Sequence, residues 1–205
     1  MVRTVPRSFV AWLCAVVFLV LASGCVSDQA KIKATRDVNA VFRTEYERVL
    51  AEDGTHTYDV PRDEAFQALR VALGRLGMRL ADQSPDLGYL SVYAPAPNPL
   101  TRDEWLQAAQ ADLPKFRGIL EHHLGFAAHF VSFEPQGIDT VINATTISVR
   151  GGTAISLTMR MREVAPPKSG YPRREYAPPT AVRMGLRKIW SALEQELPPA
   201  SRRRS

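Results

Sequence analysis

The chain predicts an α+β fold, a two-layer sandwich in which helices pack on one face of an antiparallel sheet. Three stretches carry the prediction. Phe66, Leu69, Leu73 and Leu76 make one apolar stripe at helical spacing. Ile155, Leu157, Met159 and Met161 alternate with Ser156, Thr158, Arg160 and Arg162, the period of a strand with one buried and one wet face. Val182, Leu186, Ile189, Leu193 and Leu197 again share a helical face, with Trp190 beside them. Two such helices and about six half-apolar strands bury most surface by facing each other. Short turns favour sequential antiparallel neighbours and leave strand order open.

The first 24 residues stand apart. Arg3 and Arg7 are their only charges, and an apolar run of 14 residues follows from Phe9 to Ala22. A bilayer-spanning helix needs roughly 20. A basic start, a short apolar middle and small residues at the end are the pattern of a secretory signal. Its last residues, Leu21-Ala22-Ser23-Gly24-Cys25, resemble the lipobox of bacterial lipoproteins, with Ala22 where Leu is commoner. The chemistry suits the residue types: small side chains precede the cut, and a thiol accepts the diacylglyceryl group. The resemblance implies that Cys25 becomes the acylated N-terminus of the mature chain. It also implies two or three acyl chains. At about 0.8 kcal/mol for each buried CH₂, these hold far better than one. Val26, in place of Asp, implies the outer membrane with the body facing the periplasm. The membrane, reached through Cys25, is thus the first expected partner.

Cys14 leaves with the signal and Cys25 is acylated, so the mature chain has no thiol for a disulfide or a metal site. The sequence has 26 Lys+Arg and 21 Asp+Glu. Arg3 and Arg7 go with the leader, and Arg202, Arg203 and Arg204 form a basic tail. The body between is balanced and carries no nucleic-acid footprint. Residues 25–54 read as a partly helical tether, 55–200 as a single domain with a helical insertion near 100–125, and 201–205 as a disordered tail. In the tether, Ile32, Val38, Phe42, Tyr46 and Val49 fall roughly at helical spacing. The alternative is an amphipathic arm that docks on the domain or on a partner.

His56 to Val60 reads as a first strand. Pro61 opens a helix, since its missing N–H is not needed in the first turn, and Gly77 stops it. Met78–Ala81 and Tyr89–Tyr93 read as strands joined by the turn residues Ser84–Gly88. Ala94–Pro99 interrupts regular structure. Thr101 and Glu104 make a capping box for a helix with Trp105, Leu106 and Ala109. Pro114 is expected to break or restart that helix, which resumes over Lys115–Leu124 and closes at Gly125. Phe126–Phe133, Ile138–Val149 and Thr153–Val164 read as a three-stranded meander, with Gly151-Gly152 supplying positive φ for a tight hairpin. Residues 165–179 hold five prolines and read as a long irregular loop, after which Thr180 caps the last helix. A strand, a Pro-started and Gly-ended helix with a Phe-x-x-Leu stripe, and a short hairpin over His56–Tyr93 resemble the small domains of BamC-type outer-membrane lipoproteins. The later meander and last helix extend the likeness. The resemblance implies an accessory role in envelope assembly without enzyme activity.

The residues themselves show no catalytic set. No G-x-S-x-G motif is present. His122 and His123 are adjacent, about 100° apart on a helix, and poorly placed to share an ion. No metal or cofactor is expected. Arg160, Arg162, Lys168, Arg173 and Arg174 crowd the long loop with Tyr171 and Tyr176. They form either a wet charged face, with Glu163 and Glu175 as partners, or a surface for an anionic partner. The expected function is a non-enzymatic, lipid-anchored component that binds another envelope protein. The alternative is a carrier of a small apolar molecule or lipid in a helix–sheet crevice lined by Met159, Met161, Phe130 and Trp190.

Overall fold

Ser27 starts the first helix: its hydroxyl accepts the Ala30 N–H, pairing a donor that a first turn leaves free. The computed structural model describes residues 27–164, 173 and 175–199. The leader, Cys25, most of the 165–179 loop and the basic tail lie outside them. α1 (Asp28–Asp53) runs unbroken for 26 residues. It takes the alternative form, an amphipathic arm docked on the domain, in place of the tether. Ala34, Val38, Phe42, Tyr46 and Val49 are buried along one side, so from Asp28 onward the segment belongs to the core. The reason is that its apolar stripe has a partner helix to cover it.

That partner is α3 (Arg102–Leu124), opened by the full Thr101–Glu104 capping box. α3 runs antiparallel to α1. Glu45 meets Lys115 Nζ at 2.6 Å and Asp37 meets His123 Nε2 at 2.6 Å. Lys115, with Arg48 beside it, holds the Glu45 carboxyl below its ordinary range. Pro114 does not break α3, contrary to expectation. Trp105 and Ala108 before it and Phe116 and Leu120 after it are buried alike. Pro114 and Gln110, whose carbonyl loses its partner, both face solvent, where water can take the free acceptor.

Phe42, Phe116, Phe133 and Trp105 join these parts. Phe133 lies 5.8 Å from Phe42 and 5.4 Å from Phe116, ring centre to ring centre. The Trp105 indole donates to the Phe133 carbonyl at 3.0 Å. The expected strand over Phe126–Phe133 is absent; Gly125–Phe130 is a 3₁₀ turn. Gly125 ends α3 at φ 54° and Gly137 turns at φ 73°. Between these turns the segment has no alternation to match a sheet face, and it pairs with no strand.

The sheet has five antiparallel strands in the order β1 (Thr55–Tyr58), β5 (Gly152–Glu163), β4 (Ile138–Val149), β3 (Tyr89–Pro95), β2 (Arg79–Ser84). The described residues thus hold one strand fewer than expected. The meander is β2 to β5, and β1 closes on its far side. β3 runs two residues further than expected. β4 and β5 pair along their whole lengths, from Ile138↔Glu163 to Val149↔Gly152. The hairpin glycines take positive φ as expected, 87° at Gly151 and 140° at Gly152. A Cβ at 152 would collide with the Tyr58 carbonyl. β2 is exposed, and its pairing with β3 slips between Leu80 and Asp82 in a β-bulge.

α2 (Arg62–Arg75) and α4 (Pro179–Glu196) pack on the sheet face formed by Leu90, Val92, Ile142, Ala144, Ile155, Leu157 and Met159, all buried. α1 and α3 pair with each other and with α4, extending the helical layer. Thr180 is not the cap of α4 but its second residue. Its N–H and hydroxyl both donate to Asp112 of α3, at 2.9 and 2.7 Å. Beyond Leu157 the edge of β5 is covered by α1, whose Tyr46 reaches Met159 and Arg160.

Phe42→Ala removes the ring at the centre of this junction. It is expected to lower stability by about 3–5 kcal/mol, read as a lower midpoint in urea denaturation. A free tether would tolerate the change within about 0.5 kcal/mol.

Candidate functional site

The two long helices do not close on each other along their whole length. Near the start of α1 and the end of α3 they leave a groove of about 270 Å³. Ala34 and Val38 of α1 form one wall. Phe116, Leu120 and Leu124 of α3 form the other, and Val131 and Phe133 contribute from the segment after the 3₁₀ turn. Lys31, Thr35, Asn39 and Ser132 supply the polar rim. The walls have no acid–base pair, so the chemistry available is apolar burial with a few rim hydrogen bonds. On the other side of the 131–133 segment a second hollow of about 270 Å³ runs past Leu106, Leu113 and Phe130.

This site is not the crevice expected from the sequence. Met159, Met161 and Trp190 are buried in the core, whereas Phe130 is 77 % exposed on the 3₁₀ turn. Helix and sheet meet too closely there. A Cβ on Gly185 would stand 2.6 Å from Met159 Sδ. Trp190 is engaged elsewhere: it donates to the Asp53 carbonyl at 2.8 Å and lies 4.3 Å from the His56 ring.

The arginines are placed in two groups. Arg160 and Arg162 share the outer face of β5, opposite Met159 and Met161. Arg162 bonds Asp139 at 3.1 Å across the β4–β5 pair and lies over the Tyr93 ring. Arg160 sits 5.7 Å from the ring centres of both Tyr46 and Tyr176. Tyr46, Tyr176 and Asp139 are therefore their neighbours, with Glu175 a smaller influence on Arg160. Arg173 is exposed at the α1 side, where its carbonyl accepts from Asn39 at 2.8 Å. Lys168 and Arg174 lie outside the described residues, as does Cys25. Among the described residues, no three His, Cys, Asp or Glu converge as metal ligands do. No described helix is long and apolar enough to cross a membrane.

Of the groove's residues only Val38 belongs to the apolar stripe of α1 read from the sequence; Phe42, Tyr46 and Val49 of that stripe are buried further along the helix. The facing wall, Phe116, Leu120 and Leu124, falls in the helical stretch expected over Lys115–Leu124, but nothing local in the sequence pairs that stretch with the first helix. No protein-family model, curated protein or solved structure matches the chain.

Tyr46 carries a prediction. Its hydroxyl is buried without a well-formed hydrogen bond, and burial pushes its pKa up while the nearby Arg160 guanidinium opposes the shift. The folded state thus favours the neutral phenol. That stability is present below the unfolded value, about 10, and is lost as pH rises through the folded one. Between pH 8 and strongly alkaline solution, Tyr46→Phe is expected to lose less stability than the parent chain, measured by urea midpoints at each pH.

Proposed function

We propose that the chain is a lipid-anchored, non-enzymatic binding component on the periplasmic face of the outer membrane. It acts in envelope assembly or maintenance by holding an apolar segment of another envelope protein. One observation carries this reading. The helix that forms a wall of the groove begins three residues after the lipobox cysteine. Anchor and groove wall therefore lie close along the chain, and a segment seated in the groove is held beside the bilayer. A secretory leader over residues 1–24, the absence of a thiol after Cys25 and the balanced charge of the body all support the placement. The apolar walls support binding rather than catalysis, and no cofactor belongs to the reading.

The groove also favours a second reading, a carrier of a small apolar molecule or lipid. Its volume lies just below the roughly 300–1,000 Å³ of ordinary ligand pockets. Mass spectrometry of natively purified protein separates the two. A stoichiometric apolar compound besides the Cys25 adduct, lost in Thr35→Trp, belongs to the carrier. A photo-crosslinker at Thr35 that captures a protein, with no bound compound, belongs to the partner-binding role.

The anchor has its own test. Cells given radiolabelled palmitate are expected to label the wild-type chain and not Cys25→Ala. Equal labelling of both removes acylation at this residue and the placement with it.

A further inference from the structure

The end of the molecule nearest the anchor carries two aromatic rings that the fold does not use. Phe126 is 76 % exposed and Phe130 77 %. Their rings meet edge to face at 5.4 Å on the 3₁₀ turn, so they form one small apolar knob. Phe is a large apolar surface to leave in water, and a contiguous patch of this kind marks a contact.

The course of the chain says what covers it. α1 and α3 are antiparallel, fixed by the Asp37–His123 and Glu45–Lys115 pairs. The start of α1 therefore lies beside the end of α3, where Lys31 and Leu124 line the same groove. The 3₁₀ turn follows Leu124 directly. Asp28 is one helical turn before Lys31 and three residues after Cys25. Three residues reach at most about 10 Å. An acylated Cys25 thus keeps the start of α1, and the aromatic knob near it, within a short distance of the bilayer. Exposed Lys31, Lys33 and Arg36 lie in the first turns of α1. Lys31 pairs with Asp28 at 3.5 Å, while Lys33 and Arg36 have no ion-pair partner among the described residues. Cations and exposed aromatic rings at the same end of a molecule are the composition of a surface that sits at a headgroup layer, the rings in the acyl boundary and the charges at the phosphates.

We propose that Phe126 and Phe130 form a second, non-covalent membrane contact, which inserts into the leaflet that holds the Cys25 acyl chains and orients the body upon it. The proposal rests on acylation at Cys25. The leaflet, rather than a protein, is the occupant because the reach from Cys25 brings it to this end of the molecule. Leu87, 78 % exposed, provides the contrast. It lies on the β2–β3 turn, beside Gly88, whose carbonyl accepts from Thr146. α1 ends at Gly54 beside Leu157, and Tyr46, two turns earlier, lies by Arg160; Gly88 meets Thr146, the partner of Ile155, so the first turn of α1 and Leu87 stand at opposite ends of β5.

The test uses the acylated, signal-processed protein in vesicles of phosphatidylethanolamine with a minority of phosphatidylglycerol, brominated on the acyl chains. Phe126→Trp, Phe130→Trp and Leu87→Trp are compared, the native Trp105 and Trp190 being buried. Intact mass first establishes the lipid on Cys25. Tryptophan at 126 or 130 is expected to be blue-shifted and quenched several-fold more than tryptophan at 87. Phe126→Ala with Phe130→Ala in the Leu87→Trp chain raises quenching at 87 as the body loosens. Equal quenching at 126, 130 and 87 in a protein that carries its lipid overturns the contact and leaves the anchor intact. A protein without the lipid mass overturns both. Capture of Phe126 by a protein crosslink, with no bromolipid quenching, replaces the leaflet with a protein partner and overturns the proposal.

Discussion

Phe42 sits where three separate stretches of chain meet. Its ring touches the rings of Phe116 from α3 and Phe133 from the segment after the 3₁₀ turn. Water is excluded only while all three are in place, so each holds the other two by the same apolar burial. Without this contact α1 has no reason to lie along α3, the edge of β5 loses its cover at Tyr46, and the groove has one wall. The polar pairs between the helices each join an exposed side chain to a largely covered one at the rim, and contribute little beside it. They serve better as registers: Glu45 with Lys115 and Asp37 with His123 align helices that the rings have already brought together.

The two faces of the sheet follow from strict alternation along β4 and β5. One face is sealed under α2 and α4. On the other, Ser91 bonds Asn143 at 2.8 Å, and Arg162 bonds Asp139. These polar side chains satisfy one another across strands, the sheet counterpart of neighbouring pairs on a helix. Arg160 differs, because its neighbours are rings, and its charge is held between Tyr46 and Tyr176. A basic cluster in sequence is thus divided by the fold, with Arg162 tied to the sheet and Arg160 to the helix that covers its edge.

What could be read beforehand was local. The alternation at Ile155–Met161, the glycines of the β4–β5 hairpin and the Thr101–Glu104 box each act within a few residues, and each took the form its chemistry dictates. The errors share a different cause. Phe126–Phe133 is rich in aromatic and small apolar residues without alternation, and only tertiary space decides between strand and turn for such a run. Pro114 follows the helix-breaking rule when alone. In α3 it lies on the wet side of a helix whose other side is anchored by Trp105 and Phe116, and burial outweighs a penalty of about 3 kcal/mol. Thr180 had the right residue type for a cap, but Asp112, 68 positions earlier, takes the role of acceptor. The groove was illegible for the same reason, since its walls come from residues brought together only by α1 docking on α3.

Copies of a protein that meet edge to edge can join through unpaired strands. β2, at the rim of the sheet, offers them an open row of peptide groups. Its bulge between Leu80 and Asp82 breaks that row after two residues, and Arg79 and Asp82 stud it with charge. A neighbour arriving edge-on finds no straight template to extend. The irregularity keeps crowded neighbours from polymerising into a shared sheet.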